Sequence, residues 1–224
     1  MLKPRKKITR KEIKKDPVLE RVATTYSFIK DKQKMLTKIG IGIVIGFVLL
    51  NVWNKYVHNK NEESSYIFTK ALVAWQTGDV DNALLHFESL TDNFDGTDNG
   101  KTACYWLGLI AYNTGDPESS TEYLKQFVKF AKPDILLPNA YQLLANLSLD
   151  DQNYKKAYSY FNKAIKSSMS EIEKMIHKLN LAEFYLIQER EEEAEAIIVS
   201  ILATKDLSSS LKTRAEELFG KLKS

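Results

Sequence analysis

Small residues return along the chain at a fixed step of 37 positions: Ala71, Gly108, Ala145 and Ala182 in one series, Ala83, Ser120, Ala157 and Ala194 in another. Between them, apolar residues recur at helical spacing, which predicts helices rather than strands. A repeat of this length signals stacked supersecondary units, and each small residue marks a place where two helices must approach closely. Four helix pairs are predicted, over about 64–95, 101–132, 138–168 and 170–204. Their internal turns fall at Gly78-Asp79, Gly115-Asp116-Pro117, Asp151-Gln152-Asn153 and Glu189–Glu191. Gly78 and Gly115 suit the left-handed conformation that ends a helix, and Pro117 suits a first helical turn. Ser170 and Glu173 have capping-box spacing at the start of the fourth pair. A final helix over 208–223 puts Leu211, Ala215, Leu218 and Leu222 on one face, as a cap for the open end of the stack.

Before residue 60 the pattern changes. Ile39–Trp53 carries no charge over 15 residues. That is short of the ~20 residues a helix needs to cross a bilayer. Met35, Leu36, Tyr56 and Val57 extend the apolar stretch, and Lys38 and Lys55 can reach either interface. Trp53 and Tyr56 suit the interfacial aromatic belt. A transmembrane helix is therefore predicted at 35–57, in preference to a cleaved signal, because no small-x-small pattern follows the apolar run. Gly42 and Gly46 form a small-residue pair at which another spanning helix can pack. Upstream, Asp16-Pro17 reads as a helix start, and Val18, Val22, Tyr26 and Ile29, with Leu19 beside them, form one apolar face. This amphipathic helix is expected to lie on an anionic leaflet. Thr9 and Glu12 have capping-box spacing in the basic arm before it. The organisation expected is an arm at 1–34, a span at 35–57, a polar link at 58–65 and a repeat domain at 66–224.

Charge gives this layout a direction. The net charge of +3 divides into +9 over residues 1–38 and −6 over the remainder. Positive charge stays cytoplasmic, so the arm is expected inside and the repeat body on the far side. An acidic body also argues against nucleic-acid binding. The single cysteine, Cys104, precludes an intramolecular disulfide and is expected as a small buried hydrophobe. His58, His86 and His177 lack ligand spacing and are expected to be solvated, and no metal or other cofactor is called for. Phosphate-binding and nucleophile-elbow motifs are absent, so an enzyme is not expected. Glu191–Glu193 and Glu195 sit where negative charge favours a helix start.

Within each pair the residues resemble a tetratricopeptide repeat: Ala71, Gly78, Ala83 and Phe87 in the first unit; Leu107-Gly108, Tyr112 and Gly115 in the second; Tyr154, Ala157, Phe161 and Ala164 in the third; Leu181-Ala182, Tyr185 and Ala194 in the fourth. The step exceeds the ~34 residues usual for that repeat. Its proline is present only as Pro133. The resemblance implies an all-α fold, with the amphipathic and transmembrane helices followed by a solenoid of about four helix pairs and a capping helix. It also implies that the first helix of each pair lines a groove. The inward positions are Phe68, Leu72 and Trp75, then Tyr105, Leu109 and Tyr112, then Gln142, Asn146 and Leu149. Such a lining suits an amphipathic helix or an unfolded apolar segment. An aromatic stripe at helical spacing also serves packing, so about half of these positions are expected to be core.

The whole plan resembles the ancillary subunit of the bacterial Sec translocon. The basic arm, Leu19-Glu-Arg-Val22 with Phe28-Ile29, and a glycine-containing span ending Val52-Trp53-Asn54-Lys55-Tyr56 carry the likeness. The resemblance implies an inner-membrane anchor with a cytoplasmic N-terminus and a periplasmic repeat domain. The partners it implies are the translocon channel subunits, a membrane-anchored periplasmic chaperone of the prolyl isomerase type, and exported client polypeptides. Two other readings stay open: a cell-envelope assembly scaffold for cytochrome maturation or division, and an organelle import receptor with cytosolic repeats.

Overall fold

The apolar run that fades at Trp53 does not end its helix. In the computed structural model, which describes residues 17–130 and 135–222, one helix continues from Gln33 to Gln76. The polar stretch 58–65 is helical throughout. It contains no glycine or proline, and Lys and Glu are good helix formers, so polarity alone does not interrupt the backbone. Thr9, Glu12, Asp16 and Pro133, which figured in the expected capping and repeat signals, lie outside the described residues.

Contacts divide the chain into residues 1–59 and 60–224. In the first unit, α1 (Pro17–Asp31) exposes Leu19, Val22, Tyr26 and Ile29, the apolar face predicted for it. The N-terminal part of α2 (Gln33–Gln76) follows. It is long and apolar enough to cross a membrane, with a mean hydropathy of 2.1 in its best window and none of that window buried. Gly42 and Gly46 face open space, with no atom within 4 Å of where a Cβ would sit.

The second unit is a stack of helix pairs. The end of α2 pairs with α3 (Val80–Asn93), α4 (Asp98–Thr114) with α5 (Pro117–Phe130), α6 (Leu137–Asp150) with α7 (Tyr154–Ser167), and α8 (Glu171–Ile187) with α9 (Glu191–Leu202). The capping helix α10 (Ser209–Lys221) packs on α8 and α9 through Leu211, Ala215 and Leu218, all buried. Among the described residues there are ten helices and no strand. The periodic small residues are the crossing points: Ala71, Ala83, Ser120, Ala145, Ala157, Ala182 and Ala194 have no exposed surface. Gly108 is the tightest crossing. A Cβ there would stand 2.6 Å from Leu124 Cγ, and its carbonyl accepts a 2.8 Å bond from the buried Ser120 hydroxyl. Glycine in one series thus makes room for the larger partner in the other.

The turns inside the pairs repeat as closely as the crossings. Gly78, Gly115, Gln152 and Glu189 stand 37 residues apart, and all four adopt positive φ, between 55° and 79°. After each of them, an amide reaches back to the carbonyl five residues earlier: Asp79 to Ala74, Asp116 to Ala111, Asn153 to Ser148, Arg190 to Tyr185. This satisfies the carbonyls that every helix end leaves open. The next residue caps the following helix. Asp79, Asp116 and Asn153 accept from the backbone of Asn82, Ser119 and Lys156. The bonds from Asn82 and Ser119 hold the Asp79 and Asp116 carboxyls below their ordinary pKa. In the fourth turn Arg190 makes no side-chain cap; it pairs with Glu193 and lies over the Tyr185 ring. At the fourth pair's start, Ser170 caps Glu173 and the Glu173 carboxylate accepts from the Met169 amide. That is the predicted box, closed one residue further out.

Candidate functional site

The nine inward positions split into two groups. In the first pair of units the side chains fold onto one another. Phe68 meets Phe87 edge-on at 5.9 Å, Trp75 meets Trp106 at 6.2 Å, and Trp106 stacks on Phe87 at 5.8 Å. Tyr105, only 6% exposed, fills the space between Trp106 and Phe127. Leu72 packs with this group, and Leu109 and Tyr112 pack against the neighbouring cluster around Leu124 and Phe127. Aromatic rings in such offset and edge-on contacts stabilise each other beyond their burial. What remains open here is the outer edge of a core.

The third unit behaves differently. Gln142, Asn146 and Leu149 line a pocket of about 280 Å³ together with Asn180, Glu183 and Arg214, over an apolar floor of Phe161, Phe184 and Ile187. The helices α6, α8 and α10 each contribute one or more polar groups. Arg214 Nη2 donates to Asn180 Oδ1 at 2.6 Å and to Glu183 Oε2 at 3.3 Å. Asn180 Nδ2 donates to Gln142 Oε1 at 2.7 Å, and Gln142 Nε2 donates to Asn146 Oδ1 at 3.0 Å. The bonds run one way, from the guanidinium to Asn146. Lys221 Nζ lies 3.9 Å from the second Glu183 oxygen, so the guanidinium, ammonium and carboxylate sit together at the rim.

His177 closes this network from below, which corrects the expectation that it is solvated. It is 2% exposed, and its Nδ1 lies 3.2 Å from Gln142 Oε1. That oxygen only accepts, so Nδ1 carries the hydrogen and Nε2 is left unprotonated. Nε2 is buried and has no partner among the described residues. Burial pushes the His177 pKa down; Glu173 opposes the shift, and Arg214 adds to it. The reason lies in the repeat: Ala103, Ala140, His177 and Arg214 are each one step apart, and the earlier two units spend this slot on packing. Asn180, Glu183 and Arg214 were not among the inward positions read from sequence. The signal for Arg214 was this column, where alanines give way to polar residues, and for Glu183 the column from Leu72 and Leu109 to Asn146; Asn180 stands in a third column, where Trp106 and Leu143 give way to an amide.

A second pocket, of about 340 Å³, lies beside Cys104 and Lys101. The thiol is 3% exposed and burial pushes its pKa up to about 11. It is therefore a protonated packing group rather than a nucleophile.

Residues 27–168 match the family model of the tetratricopeptide repeat-like domain. Comparison with curated proteins gives no match. Several solved structures are similar, among them these three. One crystal structure of MamA protein is 17% identical with a TM-score of 0.53, covering 72% of this chain and 90% of that one. A second MamA crystal structure is 18% identical with a TM-score of 0.50, covering 68% and 91%. The pilF structure from Pseudomonas aeruginosa is 13% identical with a TM-score of 0.57, covering 74% and 71%. At these identities the likeness is one of fold.

Proposed function

We propose, for a chain that belongs to the tetratricopeptide repeat-like domain family, the role of a membrane-anchored protein-interaction module acting as an accessory subunit of the Sec translocon. The observation that carries this reading is continuity. The family match begins at residue 27, ahead of the apolar run, and extends to residue 168, so the apolar run and three repeat units fall within one match. The anchor is the apolar part of α2, the N-terminus is cytoplasmic, and the repeat body is periplasmic in the bacterial inner membrane. The +9 and −6 charge division supports that orientation. The span meets the channel subunits through the face carrying Gly42 and Gly46, where the helix surface is lowest. The repeat body binds a membrane-anchored chaperone of the prolyl isomerase type, or exported chains as they emerge. Repeat stacks present extended surfaces to other polypeptides, and no cofactor enters this role.

Two measurements test it. Cysteine accessibility at the C-terminus is expected to report a periplasmic location; a cytoplasmic one would overturn the reading. Affinity purification from mild detergent is expected to recover channel subunits. Failure to recover any of them would favour a cell-envelope scaffold independent of the translocon.

A further inference from the structure

From the uncovered start of the stack we infer a docking seam: the face of α2 that carries Tyr66, Lys70 and Val73 takes an amphipathic helix from a partner protein, antiparallel to α2, with a carboxylate at the centre of its apolar stripe. This deepens the reading of the body as a protein-interaction module and rests on it. The repeat itself identifies the seam. At successive steps of 37, Tyr66 becomes Ala103, Ala140 and His177; Lys70 becomes Leu107, Leu144 and Leu181; Val73 becomes Ile110, Leu147 and Phe184. In the three later units none of these residues is more than 6% exposed. They stand at i, i+4 and i+7, on one face of each first helix. That face packs on the second helix of the preceding pair: α4 on α3, α6 on α5, α8 on α7. The first unit has no preceding pair. Its Tyr66 is 62% and its Val73 53% exposed, and Lys70 is exposed between them.

What fills this face in every later unit fixes the kind of element that fits it here. Helices joined by short turns run antiparallel, so the element missing ahead of α2 is one helix opposed to it and apolar on one side. Its chemistry follows from how this seam differs from the others. Each later seam has leucine at its centre, where this one has Lys70. An ammonium covered by an apolar stripe needs a carboxylate opposite it. Lys70 Nζ lies over the Tyr66 ring at 4.5 Å, which holds the charge within the seam. The lysine also lets the seam stand in water when empty, since the terminal units of a stack need a polar outer face. At the far end a whole helix, α10, covers the stack. A face meant only for water has no use for Tyr66 and Val73. A second copy of the chain is disfavoured, because it would set Lys70 against Lys70, and two copies anchored in one membrane present their α2 helices parallel.

The test uses the full chain in nanodiscs, with empty nanodiscs as the blank, and two fluorescein-labelled, lactam-bridged helical peptides of alanine and glutamine. One carries Leu, Glu and Leu at i, i+4 and i+7; the other carries Leu, Lys and Leu. Anisotropy is expected to show wild type binding the glutamate peptide about ten-fold or more tightly than the lysine peptide. Lys70→Glu is expected to reverse that preference, and Val73→Asp to lose both peptides. Both positions are exposed, so helicity by circular dichroism is expected to match wild type. No binding of either peptide by wild type, equal affinity for the two, an unreversed preference in Lys70→Glu, or binding retained by Val73→Asp overturns the seam. So does a wild-type dimer that Val73→Asp disperses, since a second copy would then occupy it. Recovery of channel subunits in any of these cases leaves the interaction-module reading standing. If the seam behaves as expected and no channel subunit is recovered, the seam stands and the translocon role falls.

Discussion

At the same inner slots of the repeat, the first two units carry Leu72 and Leu109 while the last two carry Asn146 and Glu183; one slot further round, Ala103 and Ala140 give way to His177 and Arg214. The backbone hardly registers the change. The crossings stay at a 37-residue step, the turns keep positive φ, and from α3 onward each helix packs on the next. In the first half the slots are closed by rings, Trp75 on Trp106 and Trp106 on Phe87. In the second half they hold a hydrogen-bonded series that opens onto a pocket. A repeat backbone thus separates two requirements. Small residues at the crossings make the stack, and the positions between them are free to be dry or wet in each unit. The dry half gains from burial and ring contacts. The wet half gains little net stability, because each protein hydrogen bond replaces one to water; what it acquires is a fixed set of directions.

That contrast predicts unequal costs, measured by urea unfolding of the full chain in detergent. Phe87→Ala removes a ring with no exposed surface that contacts both Phe68 and Trp106, and is expected to cost about 3–5 kcal/mol. Asn180→Ala, in the wet half, breaks the bond from Arg214 and the bond to Gln142 and is expected to cost less, about 1–3 kcal/mol. If the two losses were equal, the division of the inner slots into packed and hydrogen-bonded ones would be wrong.

A smaller effect is expected from pH. Native His177 has its pKa below the ordinary 6.5, so between those two values the unfolded chain holds a proton that the folded chain does not. Stability contributed by neutral His177 is complete above about pH 6.5 and is lost as pH falls towards the native value. The slope cannot exceed about 1.4 kcal/mol per pH unit for one proton. Chemical unfolding over this range is expected to show it in wild type and to lose it in His177→Gln, which stays neutral and can still donate to Gln142. The Asp79 and Asp116 carboxyls, held below 3.8, act in the same direction but only at more acid pH. The smallest change concerns the turns. Gln152→Gly and Glu189→Gly relieve positive φ in the second half, where the first half already has glycine. Each is expected to stabilise by about 0.5–1 kcal/mol, the strain relieved being partly offset by a freer unfolded chain. No gain at either position would mean that neighbouring contacts already compensate the turn.

The helical units, the crossings and the capping helix were legible from sequence because they depend on spacing: Ala83 and Ala157 are informative wherever the chain places them one turn from a partner helix. Turns three and four were harder. Gln152 and Glu189 carry no glycine signal, and only the 37-residue register shows that they inherit the conformation of Gly78 and Gly115. The polar stretch 58–65, expected to join the anchor to the body, is helical, because an uninterrupted helix needs only the absence of breakers and polarity alone gives none.

By itself, then, the sequence determined the period, the all-α solenoid and the separate apolar segment, each of which is a property of residues near one another in the chain. Tertiary structure alone decided which inner positions became core and which became pocket. Gln142 meets Asn180 at a separation of 38 residues, and Asn180 meets Arg214 at 34. An amide at an inward position is polar surface until a partner from the next helix fixes which of its ends is free, and that partner is chosen by packing between helices, which no local pattern records.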